Sequence, residues 1–193
     1  MDKKSLSQDS TRSAVSKKTE KTQKTRPFHL SLDTDHNGMI QCHIDGWMHI
    51  DEATVLWNSI QTYTNCLELG AHKGLSTWIL AQANPYGNIT TIEIFDSLIG
   101  QAKNNCKNFN NIKFVCEDSN TWLSKCKQKF EWVFVDHSHE TEYMDKTIEC
   151  LKNCVTDDHL ILLHDMHLPG VKSQESKFAT FTRIRNLGIG TFW

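Results

Sequence analysis

Between residues 66 and 163 the chain repeats one pattern: a short apolar run, a break into glycine or charged residues, then a helical stretch. The apolar runs fall at 66–69, 89–94, 112–116, 132–135 and 160–163, and helical patterns occupy 76–83, 97–108, 119–126 and 140–154. The last of these places Met144, Ile148, Leu151 and, just past its end, Val155 on one face. Near-continuous apolar runs suit strands buried on both faces, and their alternation with helices specifies a parallel sheet covered on both sides. Crossovers in such a sheet are right-handed. The expected fold is therefore α/β: one domain built on a doubly wound, mostly parallel sheet.

The flanks are less regular. Asp33-Thr34-Asp35-His36-Asn37-Gly38 reads as a turn; it lacks the glutamate that would close a calcium loop. Alternating Ile40, Cys42 and Ile44 predict a short strand or hairpin arm, and Asp51 is expected to cap a helix carrying Ala53, Leu56, Trp57 and Ile60 on one face. One or two strands are expected around Asn186-Leu187-Gly188. Six tryptophans, Trp47 and Trp57 among them, can line an aromatic or sugar pocket, though core and rim packing is the expected role.

Composition narrows the setting. Residues 1–26 carry eight Lys/Arg, three Asp/Glu and nine Ser/Thr, with almost nothing apolar, and read as a basic disordered tail before a folded domain at 27–193. A tail of this kind is more often a solvated extension than a nucleic-acid contact. No apolar run reaches the ~20 residues of a membrane span, and no export signal is evident. Seven cysteines without a Cys-x-x-Cys pair suit a reducing, cytoplasmic compartment rather than a disulfide frame or structural zinc.

The breaks after the strands hold the candidate site, because ligands of open α/β sheets bind at the carboxyl ends of the strands. Glu68-x-Gly70-Ala71-x-x-Gly74-x-Ser76 supplies glycines for a tight turn and close backbone approach, followed by a helix start whose free N–H groups suit an anion. Glu93, at the end of the second run, can accept both hydroxyls of a ribose. Asp118 and Ser119 follow the third run, where a carboxylate can accept an adenine amino group. His72 and Leu75 stand where a dinucleotide fingerprint needs glycine, so NAD is disfavoured, and no P-loop is present.

These motifs, in this order over roughly residues 66–171, resemble class I S-adenosylmethionine-dependent methyltransferases, a Rossmann-like family. The resemblance implies that the glycine loop holds the methionine part of S-adenosylmethionine and Glu93 its ribose. The second half narrows it. Asp136-His137-Ser138-His139, His164-Asp165 and Pro169-Gly170-Val171 are similar to the strand ends of metal-dependent small-molecule and sugar O-methyltransferases and of cephalosporin-hydroxylase-like proteins.

That likeness implies Asp136 and Asp165 as metal ligands, His164 as a third, and His139 as general base. The chemistry is coherent: a divalent cation lowers the pKa of an acceptor hydroxyl, and a histidine takes its proton near neutral pH. Met166 replaces the Asn of catechol-type enzymes and His164 an acid of the sugar enzymes, so beside Mg²⁺ the ion can be Mn²⁺ or Fe²⁺, and a site without metal stays open. His137 is expected to support these ligands, and His72 and His167 to stand by. Asn84-Pro85-Tyr86 precedes the second run and reads as a turn, which leaves nucleic-acid base methylation unsupported. The expected partner is a small hydroxylated substrate; the rival reading is a catalytically silent binding or scaffold protein on the same fold.

Overall fold

The structure, a computed structural model, describes residues 32–193, so the basic tail at 1–26 lies outside the described residues. A two-residue antiparallel pair, β1 (Asp33–Thr34) and β2 (Ile40–Gln41), precedes helix α1 (Ile50–Ile60). Then come β3 (Asn65–Leu69), α2 (Leu75–Ala83), β4 (Asn88–Glu93), α3 (Asp96–Asn105), β5 (Ile112–Cys116), α4 (Ser119–Lys125), β6 (Phe130–Val135), α5 (Thr141–Lys152) and β7 (Val155–Leu163). The short helix α6 (Pro169–Lys172) and a 3-10 turn lead to the hairpin β8 (Thr180–Ile184) and β9 (Leu187–Thr191).

The seven long strands form one sheet in the order β5-β4-β3-β6-β7-β9-β8. β3 to β7 run parallel; β9 lies antiparallel to β7 and to β8. The order reverses between β3 and β6, which start successive windings away from each other. That switch point opens a crevice outside their carboxyl ends.

Strand alternation sorts the side chains between two cores. Cys66, Trp132, Phe134 and Leu162 pack with Leu56, Ile60, Ile79 and Leu80 of α1 and α2. Leu67, Leu69, Val133, Val135 and Leu163 pack on the other face with Leu123 of α4 and with Met144, Ile148 and Leu151 of α5. Each fully buried aliphatic side chain of this kind contributes about 1.5–3 kcal/mol. This is the doubly wound sheet expected of the alternating pattern.

Two local expectations are corrected. The strand anticipated over 40–44 ends at Gln41, because Cys42 and Ile44 close a local turn through the Cys42 Sγ and no ladder continues. Helix α1 is capped by His49, not Asp51: the His49 Nδ1 accepts from the Asp51 N–H at 3.0 Å, and Glu52 Oε2 accepts from the His49 N–H at 3.0 Å. Asp51 instead pairs with Arg185 at the β8–β9 turn. Among the described residues no helix is long and apolar enough to cross a membrane.

Candidate active site

A cleft of about 440 Å³ opens at the switch point. Gly70, Ala71 and Ser76 line it together with Asp136, His164 and Asp165, while Gly46, Trp47 and Met48 form its far wall. Gly70 has φ +98°, and a Cβ there would stand 2.1 Å from the carbonyl oxygen of Asp136. The loop after β3 can therefore lie directly on the end of β6 only because residue 70 has no side chain. Gly74, also at positive φ, starts α2 with no side-chain cap. The first N–H groups of that helix are left for a ligand beside the cleft.

Glu68, the one acid of the glycine loop, is placed away from the cleft that the loop lines. It is fully buried. The Thr77 and Thr91 hydroxyls donate to its Oε2 at 2.5 and 2.6 Å, so it ties β3 to α2 and β4. Burial dominates over these donors and pushes its carboxyl above the usual range. Glu93 sits at the adjoining strand end, accepting from the His72 N–H at 2.8 Å and the Phe95 N–H at 3.0 Å. His72, expected to stand by, thus enters through its backbone, which adopts φ +46° and lines the cleft.

Beside Glu93, Ile94 and Phe95 are 53% and 61% exposed, an apolar pair on the ligand edge that sequence reading passed over. Asp118 caps α4, accepting from the Thr121 N–H at 2.7 Å and the Tyr143 hydroxyl at 2.5 Å, and Ser119 is buried behind it. Trp47, anticipated as packing, is 86% exposed at the cleft wall, whereas Trp57 is buried in the core as expected. Lys73 pairs with Asp45 and fastens the wall segment to the glycine loop.

The second group of side chains gathers at the ends of β6 and β7. Asp165 adopts φ +55°, a conformation Asp tolerates better than most residues. That turn returns its carboxylate beside Asp136 instead of sending it to the opposite face. His139 Nε2 lies 3.2 Å from Asp165 Oδ2 and 3.9 Å from Asp136 Oδ1. It is shielded from water and faces both carboxylates. One atom each from Asp136, His139 and Asp165 fall within 4.8 Å of one another, close enough to share a metal ion. Two carboxylates and an imidazole form a donor set that suits a first-row ion such as Mn²⁺ or Fe²⁺.

His164, expected as the third ligand, is placed beneath this trio instead. Its Nδ1 lies 3.2 Å from Asp136 Oδ1 and its Nε2 3.3 Å from Glu52 Oε2, so both ring nitrogens are taken. Burial pulls its pKa down, but Asp136, Asp165 and Glu52 together lift it to about 12. The Asp136 and Asp165 carboxyls are correspondingly held low: burial opposes this, and the histidines outweigh it. Asp136, then Asp165, raise His139 to about 9. His137 faces away, its Nε2 3.0 Å from the Thr147 hydroxyl, and burial lowers it to about 4. Met166 is buried in the core, so it is no ligand.

These pairings make stability depend on pH. A histidine raised from 6.5 to about 9 or about 12 stabilises the fold fully below pH 6.5 and progressively less as pH rises through the folded value. The lowered aspartates act at the other end: their contribution is present above the ordinary value of 3.8 and is lost as pH falls through the folded value. Buried His137, lowered to about 4, adds stability as pH rises from there to 6.5, so melting in EDTA should show Tm highest near pH 6.5 and falling from there to about pH 9.5. A Tm that stays level across that rise would contradict the clamped histidines.

Gly170 of the Pro169-Gly170-Val171 motif explains how His139 is held. A Cβ on it would lie 2.0 Å from the His139 carbonyl oxygen and 2.8 Å from the Thr141 N. The start of α6 therefore presses on the segment that presents His139. Glu52 was missed by sequence reading altogether; its signal was only an acid in the first turn of α1, the ordinary mark of a helix start.

Comparison with known proteins agrees with the architecture. Residues 67–166 match the family model described as Methyltransferase domain, just over half of the chain. The fold is similar to N-methyltransferase NodS from Bradyrhizobium japonicum WM9 in complex with S-adenosyl-L-homocysteine, at 15% identity and TM-score 0.61, covering 72% of this chain and 82% of that one. It is similar to SAH-bound methyltransferase PaMTH1 from Podospora anserina at 11% identity and TM-score 0.62, over 73% and 77% of the two chains. A Staphylococcus aureus protein assigned as a caffeoyl-CoA O-methyltransferase aligns at 15% identity and TM-score 0.62, over 76% and 84%. No curated protein matches the chain in sequence.

Proposed function

Because the chain belongs to the methyltransferase-domain family, we propose that this S-adenosylmethionine-dependent methyltransferase is a cation-assisted O-methyltransferase of a small hydroxylated substrate. The observation that carries the reading is the convergence of Asp136, His139 and Asp165 on the edge of the same cleft that Gly70, Ala71 and Ser76 line.

Two of the similar structures, NodS and PaMTH1, hold S-adenosylhomocysteine, and the cleft here suits the same group. Its volume is in the range of small-molecule sites, and the uncapped start of α2 faces a place where a carboxylate would rest. Gly70 to Ser76 would hold the methionine part. Glu93 keeps a free lone pair on each oxygen for ribose hydroxyls, and Ile94 and Phe95 offer an apolar bed for the base. S-adenosylmethionine, when bound, supplies a methyl group on a sulfonium.

Asp136, His139 and Asp165 would hold the cation. When bound, that cation makes an acceptor hydroxyl more acidic and fixes its direction. Asp136 and Asp165 set where the hydroxyl oxygen points, which is most of what an in-line transfer requires. With both carboxylates turned to a cation, His139 would no longer have the partners that hold its proton. Neutral imidazole there can complete the ligand set or accept the hydroxyl proton. Trp47 gives the acceptor side of the cleft an exposed aromatic face.

The test is an acceptor screen with isotopically labelled S-adenosylmethionine against catechols, sugars and other hydroxylated small molecules, in EDTA and with Mn²⁺ or Mg²⁺. The reading predicts label on an acceptor oxygen, with turnover suppressed by EDTA. Transfer to nitrogen alone, or turnover indifferent to EDTA, would overturn it. S-adenosylhomocysteine binding with no transfer to any acceptor would favour the silent scaffold.

A further inference from the structure

Glu52 lies upstream of the family-matched residues 67–166, yet its carboxylate reaches into the site. It is 3% exposed, and a buried carboxylate is costly unless its oxygens are met. Its Oε2 accepts from the His49 N–H and stands 3.3 Å from His164 Nε2, and the Asn186 backbone also donates to this carboxylate. One side chain therefore ties three places together: the start of α1, the end of β7 and the β8–β9 turn. Met166 N–H donates to the Asn186 carbonyl at 2.9 Å, closing the loop around Asp165. The glutamate of a capping box needs none of this. It can cap from the surface, whereas Glu52 is buried against a histidine 112 residues away.

The far side of His164 explains the arrangement. Its Nδ1 is 3.2 Å from Asp136 Oδ1 and 3.5 Å from Asp165 Oδ2. An imidazole gripped at one nitrogen presents the other in a fixed direction, and partners behind a ligating carboxylate set its orientation. We infer that Glu52 is a positioning residue: through His164 it fixes the directions of Asp136 and Asp165, the carboxylates that would bind the acceptor-activating cation. The inference rests on the proposed function for that last clause. It adds that the segment before the matched domain completes the site.

Titration of the purified full chain with Mn²⁺ tests it. Glu52→Ala should bind Mn²⁺ about ten- to a hundredfold more weakly than the unaltered protein, the usual loss when a partner behind a ligand is removed. S-adenosylhomocysteine affinity, which reports the intact cleft, should change by less than about twofold because Glu52 lies outside the cleft lining. Glu52→Gln keeps the shape and an acceptor for the helix cap, so it serves if the alanine variant does not fold; about a tenfold loss is expected. Asp51→Asn alters the same helical turn but touches Arg185, and should leave both affinities unchanged. Equal Mn²⁺ affinity in the unaltered protein and the Glu52 variants overturns the inference. If the unaltered protein binds no Mn²⁺, the cation reading fails by itself, and crystal structures decide Glu52. A His164 ring or Asp136 carboxylate displaced in the variant upholds the role, and superimposable side chains overturn it.

Discussion

Asp165→Asn is expected to reduce kcat/KM for methyl transfer by about a thousandfold while S-adenosylhomocysteine affinity stays within about twofold. The substitution keeps the side-chain shape, and Asn tolerates the left-handed backbone that Asp165 adopts at φ +55°. What it removes is charge. Asp165 faces both His139, at 3.2 Å, and His164, at 3.5 Å, and it is one of the three donors that converge on a cation-sized space. Loss of a carboxylate there removes several kcal/mol of charge stabilisation at the acceptor oxygen, without disturbing the glycine loop that holds the other substrate. Parallel measurement of steady-state kinetics and ligand affinity separates the two effects. Equal loss of both would show that Asp165 serves the whole cleft and not the acceptor side.

Gly70→Ala should have the largest effect on stability and should abolish S-adenosylhomocysteine binding. The new Cβ would stand 2.1 Å from the Asp136 carbonyl oxygen and 2.6 Å from its carbonyl carbon, both rigid backbone atoms at the end of β6. Relief requires the β3 loop to lift away from β6. Overpacking of that kind costs about 1–3 kcal/mol, and alanine at φ +98° adds more than about 1 kcal/mol of backbone strain. Together these approach half the stability of an ordinary domain. At about 2–4 °C per kcal/mol for a chain of this size, Tm should fall by about 10 °C. Thermal melts of the two proteins check it; a drop under about 2 °C would mean that the loop accommodates a side chain and that its close seat on β6 is not required.

Both expectations concern residues visible in the sequence, and the reason is physical. A strand such as 66–69 or 132–135 is almost wholly apolar while it is buried, so the glycine, acid or histidine at the end of the run marks where it emerges at the ligand edge, whereas the mid-strand Glu68 stays buried. Gly70, Glu93, Asp136 and Asp165 were found in that way. The doubly wound sheet followed from the same alternation, because strands buried on both faces require helices between them. Other features had no such mark. Glu52 looks in sequence like any acid opening a helix; only folding shows that its carboxylate turns inward to His164 across 112 residues. The roles of His139 and His164 were also hidden, since both follow strand ends. Which of them faces the open space depends on the backbone turn at Asp165 and on the press of Gly170 against the His139 carbonyl. Glu68 emerged as a buried tie because its hydroxyl partners, Thr77 and Thr91, sit on other elements.

Calorimetric titration of the full chain with S-adenosylhomocysteine tests the central claim most directly. The cleft beside Gly70 should bind it with a Kd of about micromolar, near −8 kcal/mol, with one site per chain. Absence of heat up to about millimolar ligand, where only some −4 kcal/mol would remain, would contradict a cofactor site at this switch point and with it the methyltransferase reading of the cleft.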